Sequence, residues 1–175
     1  RVLPVGRGSK LDWMPRPERV DFALSTSALA GVVAYEPGDG TLTALAGSRL
    51  DELAATVAAG GHHLTPDVAG AARGSLGGVL ATGRSGWDRA ALGPLRHHVL
   101  GLRVALADGR VVRSGGRLVK NVTGFDVHRL HLGGYGAFGV VLEASLRLFP
   151  AHEERFVLAK RCADADAGLA QRFAS

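Results

Sequence analysis

Four stretches of this chain carry residue types that can hold an anion by its oxygens. Pro4-Val5-Gly6-Arg7-Gly8-Ser9-Lys10 sets two glycines and two cations close together. Residues 74–86 read GSLGGVLATGRSG, residues 121–126 read NVTGFD, and residues 133–139 read GGYGAFG, with four glycines in seven positions. Glycine lets a backbone approach a ligand and turn its N–H groups inward, and several such groups in a row form a nest suited to a pyrophosphate. Arg7, Lys10, Arg84 and Arg89 can add positive charge to such a nest. Any one of these stretches alone reads as a turn. PVGRGSK does not fit the P-loop pattern GxxxxGK[ST], and no GxGxxG stands between a strand and a helix, so neither of those phosphate sites is present.

Other chemistry is less well supported. The seven histidines include the adjacent pairs His62-His63 and His97-His98, whose rings would face apart in a strand. His128 and His131 fall on one helical face, but no cysteine or carboxylate cluster completes a metal site. The histidines therefore read as surface or loop residues. Ser9 and Ser85 lack a His/Asp setting for nucleophilic catalysis. Trp13 fits the core better than a cover over the first loop. Asp126 reads as a cap for the helical turn after it.

The elements that must position these loops are mostly strands. Residues 2–5, 22–26, 32–35 and 41–46 read as strands, with a turn at Pro37-Gly38-Asp39-Gly40. Ser48 and Asp51 read as a capping box for a helix whose Leu50, Leu53, Ala54 and Val57 share a face, ended by Gly60-Gly61. Residues 99–106 and 111–113 form a hairpin around Asp108-Gly109. Residues 126–132 read as one or two helical turns. In residues 140–148, Val140, Leu142, Ala144, Leu146 and Leu148 face one way and Glu143, Ser145 and Arg147 the other. A strand at 155–160 and a helix at 163–173 follow Pro150. Strands outnumber helices and hairpin connections dominate, which predicts an α+β fold with mixed or antiparallel sheets and not a doubly wound parallel one.

Composition excludes several classes. Net charge is +5 without a basic run or interleaved aromatics, which fits a basic cleft for an anionic ligand better than a nucleic-acid surface. Cys162 is the single cysteine, so no intrachain disulfide forms and a cytoplasmic location is expected. No run approaches the ~20 apolar residues of a membrane span. The opening RVLPVG reads as a buried strand, so the chain is expected to be truncated at both ends.

Taken together and in order, PVGRGSKLDW, VVAYEPGDGTLTALAGSRLDEL, GSLGGVLATGRSG, RHHVLGLRVALADGRVVRSGGRLVKNVTGFD and GAFGVVLEASLRLFP resemble the FAD-binding domain of FAD-linked oxidases, the PCMH-type or vanillyl-alcohol-oxidase group. Within that group the chain is similar to the FAD-binding subunits of bacterial glycolate oxidases. The resemblance implies a two-lobed FAD-binding domain over residues 1–150, without its first strand and helix, and the start of a substrate or cap domain over 151–175. It implies that Pro4, Val5, Gly6, Arg7, Gly8, Ser9 and Lys10 wrap the FAD pyrophosphate. It further implies that Ser75, Gly77 and Gly78 start a helix whose amides face phosphate or flavin. Ala81, Gly83, Ser85 and Gly86 would line the cofactor, Asn121 and Thr123 would sit by the flavin or its ribityl chain, and Gly139 and Val140 would meet the adenine end.

Relatives that attach flavin covalently use a histidine in the first loop. This loop has none, so FAD is expected to bind noncovalently. His97 stands where the family usually has an aspartate beside the arginine, and Phe138 is larger than the family's usual residue. The implied reaction is oxidation of a small 2-hydroxy acid such as glycolate or lactate, with other oxidase subunits as possible partners. The substrate-binding arginines and any base would lie outside this chain. The alternative is a flavin-binding or scaffold subunit without catalysis of its own.

Overall fold

The computed structural model describes residues 1–13, 17–65, 74–86, 88–117 and 125–151. Strand β1 (Val2–Val5) runs parallel to β2 (Phe22–Ser25), with Val2 opposite Phe22 and Val5 opposite Ser25. The chain then enters a second sheet through the hairpin of β3 (Val32–Glu36) and β4 (Thr41–Leu45). Helix α1 (Leu50–Ala59) follows, then β5 (His62–His63), α2 (Leu76–Thr82) and the single turn α3 (Arg89–Leu92). The hairpin of β6 (Val99–Ala105) and β7 (Val111–Gly115) precedes a 3-10 turn at Val127–His131. Strands β8 (Val140–Arg147) and β9 (Phe149–Pro150) come last.

The larger sheet is ordered β3-β4-β8-β6-β7, and all its pairings are antiparallel. With the parallel β1–β2 pair this is the mixed α+β architecture expected from the strand pattern. Helices α1 and α2 cover one face of the sheet. Leu50, Leu53 and Val57 of α1 and Leu76, Val79 and Leu80 of α2 form one core with Leu42, Ala44, Leu102, Val104, Ala144 and Leu146. Each such leucine contributes about 1.5–3 kcal/mol by leaving water, so this packing fixes α2 against the sheet. Ala54 is exposed and does not join the apolar face assigned to it.

Strand β8 departs from its expected amphipathic pattern. It is the central strand, and its polar side is covered as well as its apolar side. The Ser145 hydroxyl lies 2.9 Å from that of Thr43, and buried Glu143 accepts from Arg103 and Arg113 at 3.3 and 3.4 Å. Local alternation cannot reveal cross-strand partners of this kind.

The capping box at Ser48 is also not formed. The Ser48 hydroxyl donates to the Gly31 carbonyl and accepts from the Gly31 amide, stapling the β2–β3 connection to the start of α1. The position before α1 is Arg49, which pairs with Asp51 and Glu52 instead. The expected elements at 155–160 and 163–173 lie outside the described residues.

Candidate cofactor-binding cleft

The first glycine loop leaves the carboxyl end of β1. The Thr26 amide donates to the Val5 carbonyl at 2.9 Å, which fixes where the loop departs. The chain closes into a 3-10 turn (Leu11–Trp13) through Leu11 N–H to the Gly8 carbonyl and Trp13 N–H to the Lys10 carbonyl. Between these anchors, the amides of Gly6, Arg7, Gly8, Ser9 and Lys10 find no acceptor among the described residues. A run of unpaired main-chain donors is a strong demand for an acceptor.

Lys10 adds to that demand. Its side chain is buried, with the residue only 9% exposed, and its Nζ reaches the Ser9 hydroxyl at 3.2 Å. No carboxylate among the described residues pairs with it. Burial lowers its pKa from the ordinary lysine value. A buried ammonium without a counter-charge is costly, and an anion seated in the loop would offset that cost. The donor set, five amides and one buried cation, fits a diphosphate.

Trp13 corrects the expectation of a core residue. It is 41% exposed, with Arg84 Cζ 4.5 Å and Lys10 Nζ 5.8 Å from its ring. Cation–π contacts of this kind hold the first loop against the loop that follows α2.

Helix α2 meets the first loop at its cap. The Ser75 hydroxyl accepts from the Gly78 amide at 3.3 Å. A Cβ on Gly6 would stand 2.2 Å from that hydroxyl, so any side chain here would have to displace it from its cap or move the loop. The amides of Leu76 and Gly77 donate to the Ser48 and Ala46 carbonyls at 2.9 and 2.7 Å. All three first-turn amides are therefore occupied within the protein, contrary to the expectation that they face phosphate. The helix contributes a wall instead, made of Gly78 and Ala81.

The last glycine loop supplies the opposite wall. Tyr135 takes a left-handed φ of 51°, and its amide donates to the Ala81 carbonyl at 2.9 Å, tying this loop to α2. The Gly139 amide is bonded to the Gly136 carbonyl, and Val140 pairs with Ala105 at the start of β8.

Two narrow, solvent-open cavities result. One is lined by Pro4, Val5, Gly6, Gly77, Gly78, Ala81, Gly139 and Val140, together with Thr26, His131, Tyr135 and Gly136. The other is lined by Arg7, Gly8, Ser9, Lys10 and Ser75, and shares Pro4, Gly6, Gly78, Ala81 and Tyr135 with the first. The shared walls make them one cleft. Thr26, His131 and Tyr135 were not among the residues assigned from sequence. A buried threonine and a tyrosine in the left-handed region leave no local signal.

The other assigned residues fall elsewhere. Gly83 caps α2 with φ 62°, and a Cβ there would stand 2.8 Å from Gly133 Cα. Gly83 and Ser85 line an adjoining cavity, where the Ser85 hydroxyl accepts from the Leu95 amide at 2.9 Å. The Gly86 carbonyl accepts from Arg89, and Gly86 lines none of these three cavities. Asn121 and Thr123 lie outside the described residues. Phe138 is exposed beside a separate apolar cavity under β6 and β7.

Several histidines are buried, not superficial. His98, His128 and His131 each have an Nδ1 without a partner, and burial lowers the pKa of all three. His62 bonds Tyr35 and His63 pairs with Asp88. Among the described residues no three His, Cys, Asp or Glu side chains converge. Asp126 makes no cap and pairs with Arg129 at 2.8 Å. No helix among the described residues is long and apolar enough to cross a membrane.

Residues 1–115 match the FAD binding domain family, and the chain belongs to it. The resemblance to FAD-linked oxidases thus holds for family and for fold. The chain is 36% identical over 122 residues to glycolate oxidase subunit GlcE of Escherichia coli K12, covering 69% of this chain and 35% of that protein. It is 37% identical over 94 residues to D-lactate dehydrogenase of Archaeoglobus fulgidus, covering 54% of this chain and 21% of that protein. The solved alkyldihydroxyacetonephosphate synthase matches its fold with a TM-score of 0.73 at 22% identity, over 87% of this chain and 28% of that one. The chain therefore spans about a third or less of the length of these relatives.

Proposed function

We propose that this chain is the cofactor-binding domain of a flavin-dependent oxidoreductase that oxidises a small 2-hydroxy acid, with FAD held noncovalently between two lobes. The supporting observation is the first loop: five consecutive amides without acceptors, beside a buried lysine without a counter-charge, among the described residues. These groups would hold the two phosphates, and Gly78 and Ala81 would floor the cleft between the lobes. Gly139 and Val140 would border the adenine end, and Asn121 and Thr123 would approach the flavin. Gly83 and Ser85 would border its far end.

Bound FAD supplies the acceptor for the hydride that a 2-hydroxy acid gives up on becoming a 2-oxo acid. The residues of this chain bind and orient; their glycines and alanines leave room for a flat ring system and exclude bulkier side chains. The absence of histidine from residues 6–10 supports noncovalent binding. The glycolate oxidase and D-lactate dehydrogenase names among the relatives support the substrate class, and the word subunit in one of them supports further subunits as partners. Residues 1–150 would form this domain and 151–175 would open the next.

Two measurements on the purified protein test the reading. A flavin spectrum should appear, and acid precipitation should release the colour into the supernatant; a pellet that keeps the colour contradicts noncovalent binding. Dye reduction by the full protein with glycolate and with D-lactate, alone and with partner subunits, then separates an oxidase from a non-catalytic flavin subunit. Failure with every small 2-hydroxy acid in both settings contradicts the activity.

A further inference from the structure

The cleft continues past the diphosphate loop into a cavity of about 480 Å³ with a different character. Thr82 borders both. Arg89, Arg96 and Arg129 line this cavity with His97 and Ser85, and no acidic side chain is among its lining residues. Arg129 is engaged by Asp126. Arg89 and Arg96 have no ion-pair partner among the described residues, and the residue after Arg96 is a histidine. The Ser85 hydroxyl already accepts from Leu95, so its own hydrogen is free to donate. Guanidinium groups bind carboxylates through paired N–H donors.

The order of the cavities matters as much as their charge. Shared walls link the cavities in series: Gly6, Gly78 and Tyr135 join the cavity of Gly139 and Val140 to that of residues 6–10, and Thr82 joins the latter to the arginines. A dinucleotide whose diphosphate sits in the middle and whose adenine lies at Gly139 must carry its reactive ring toward the arginines. A volume of this size has room for the edge of a flat ring and a small acid beside it.

We propose that this arginine-lined cavity is a carboxylate subsite that holds the acid group of the 2-hydroxy acid, so that part of substrate recognition lies on this chain. The inference rests on the cofactor-domain reading above for its orientation, but the anion site itself can be tested with or without flavin.

The test is calorimetric titration with oxalate, a small dicarboxylate that has no C–H to lose, on flavin-loaded and flavin-free protein, with sulfate as a comparison anion. Saturable oxalate binding is expected in the wild-type protein and tighter than sulfate binding. R89A and R96A should each weaken oxalate at least tenfold, R96K should recover part of the loss, and the flavin absorbance of loaded R96A should be unchanged. The proposal is overturned if the wild type binds no oxalate, if sulfate binds equally well, or if the R89A/R96A double variant binds oxalate as the wild type does. A wild type that takes up no FAD yet binds oxalate through these arginines contradicts the cofactor reading while the anion site stands.

Discussion

Lys10 places a charged group where only an anion makes it favourable. Its ammonium is buried against Trp13 and Ser9 and has no carboxylate partner among the described residues. K10M keeps the length and removes the charge. FAD affinity should fall by about ten- to a hundredfold, the value of one charge-assisted hydrogen bond of about 1.5–3 kcal/mol. The flavin-free variant should melt no lower than wild type, because a desolvated charge has been removed; thermal melts with and without FAD check both halves. A general loss of stability in the flavin-free state would show that Lys10 is held for structure and not for a ligand. The pH dependence carries the same sign. The folded-state pKa is lowered, so the cost of burying the charge is present while Lys10 is protonated in both states. That cost disappears as pH rises through the folded value toward 10.5, so flavin-free stability should rise over that alkaline window while FAD affinity falls.

At the scale of elements, the cleft depends on a loop lying against a helix cap. G6A should drive a methyl into the Ser75 hydroxyl and shift either the loop or α2. S75A alone should cost about 0.5–2 kcal/mol through the lost cap. The two should not add: with the hydroxyl gone, the Gly6 methyl meets Ser75 Cβ at 3.4 Å and Thr26 Oγ1 at 3.8 Å, both ordinary contacts. A double-mutant cycle by denaturant melting should therefore give a favourable coupling of about 0.5 kcal/mol or more, and additive losses would mean the loop does not rest on this cap.

Such contacts explain what the sequence could and could not disclose. The strands were readable because β4, β6 and β8 carry alternating or continuous apolar residues, and glycine clusters run along much of the cleft, although Thr26 and His131 line it from outside them. Long-range partners were not readable. Ser48 has the local signature of a helix cap but is captured by Gly31, seventeen positions away. Trp13 looks like a core residue until Arg84 and Lys10 are brought to its face. Helix α2 was submerged in a glycine-rich stretch with weak periodicity, and its first amides were assigned to a ligand although Ser48 and Ala46 claim two of them.

Across the whole molecule, the cleft draws its walls from two sheets: the first loop hangs from the β1–β2 pair, while the start of β8 belongs to the five-stranded sheet and α2 packs on it. A ligand that bonds to both should resist their separation. At a FAD concentration one hundred times its dissociation constant, mass action adds about 2.7 kcal/mol, which for a domain of this size raises the melting temperature by about 5–10 °C. Riboflavin, which lacks the diphosphate, should give a much smaller shift in the same melt; an equal shift would place the binding energy on the ring and not on the first loop.

The central claim concerns the amides of residues 6–10, which have no acceptor within the described protein. Hydrogen–deuterium exchange, resolved to single residues with and without saturating FAD, reads those amides directly. They should exchange rapidly in the flavin-free protein and become strongly protected when FAD binds. FAD bound to saturation, with these amides still exchanging at their free rates and protection appearing elsewhere, would contradict the account.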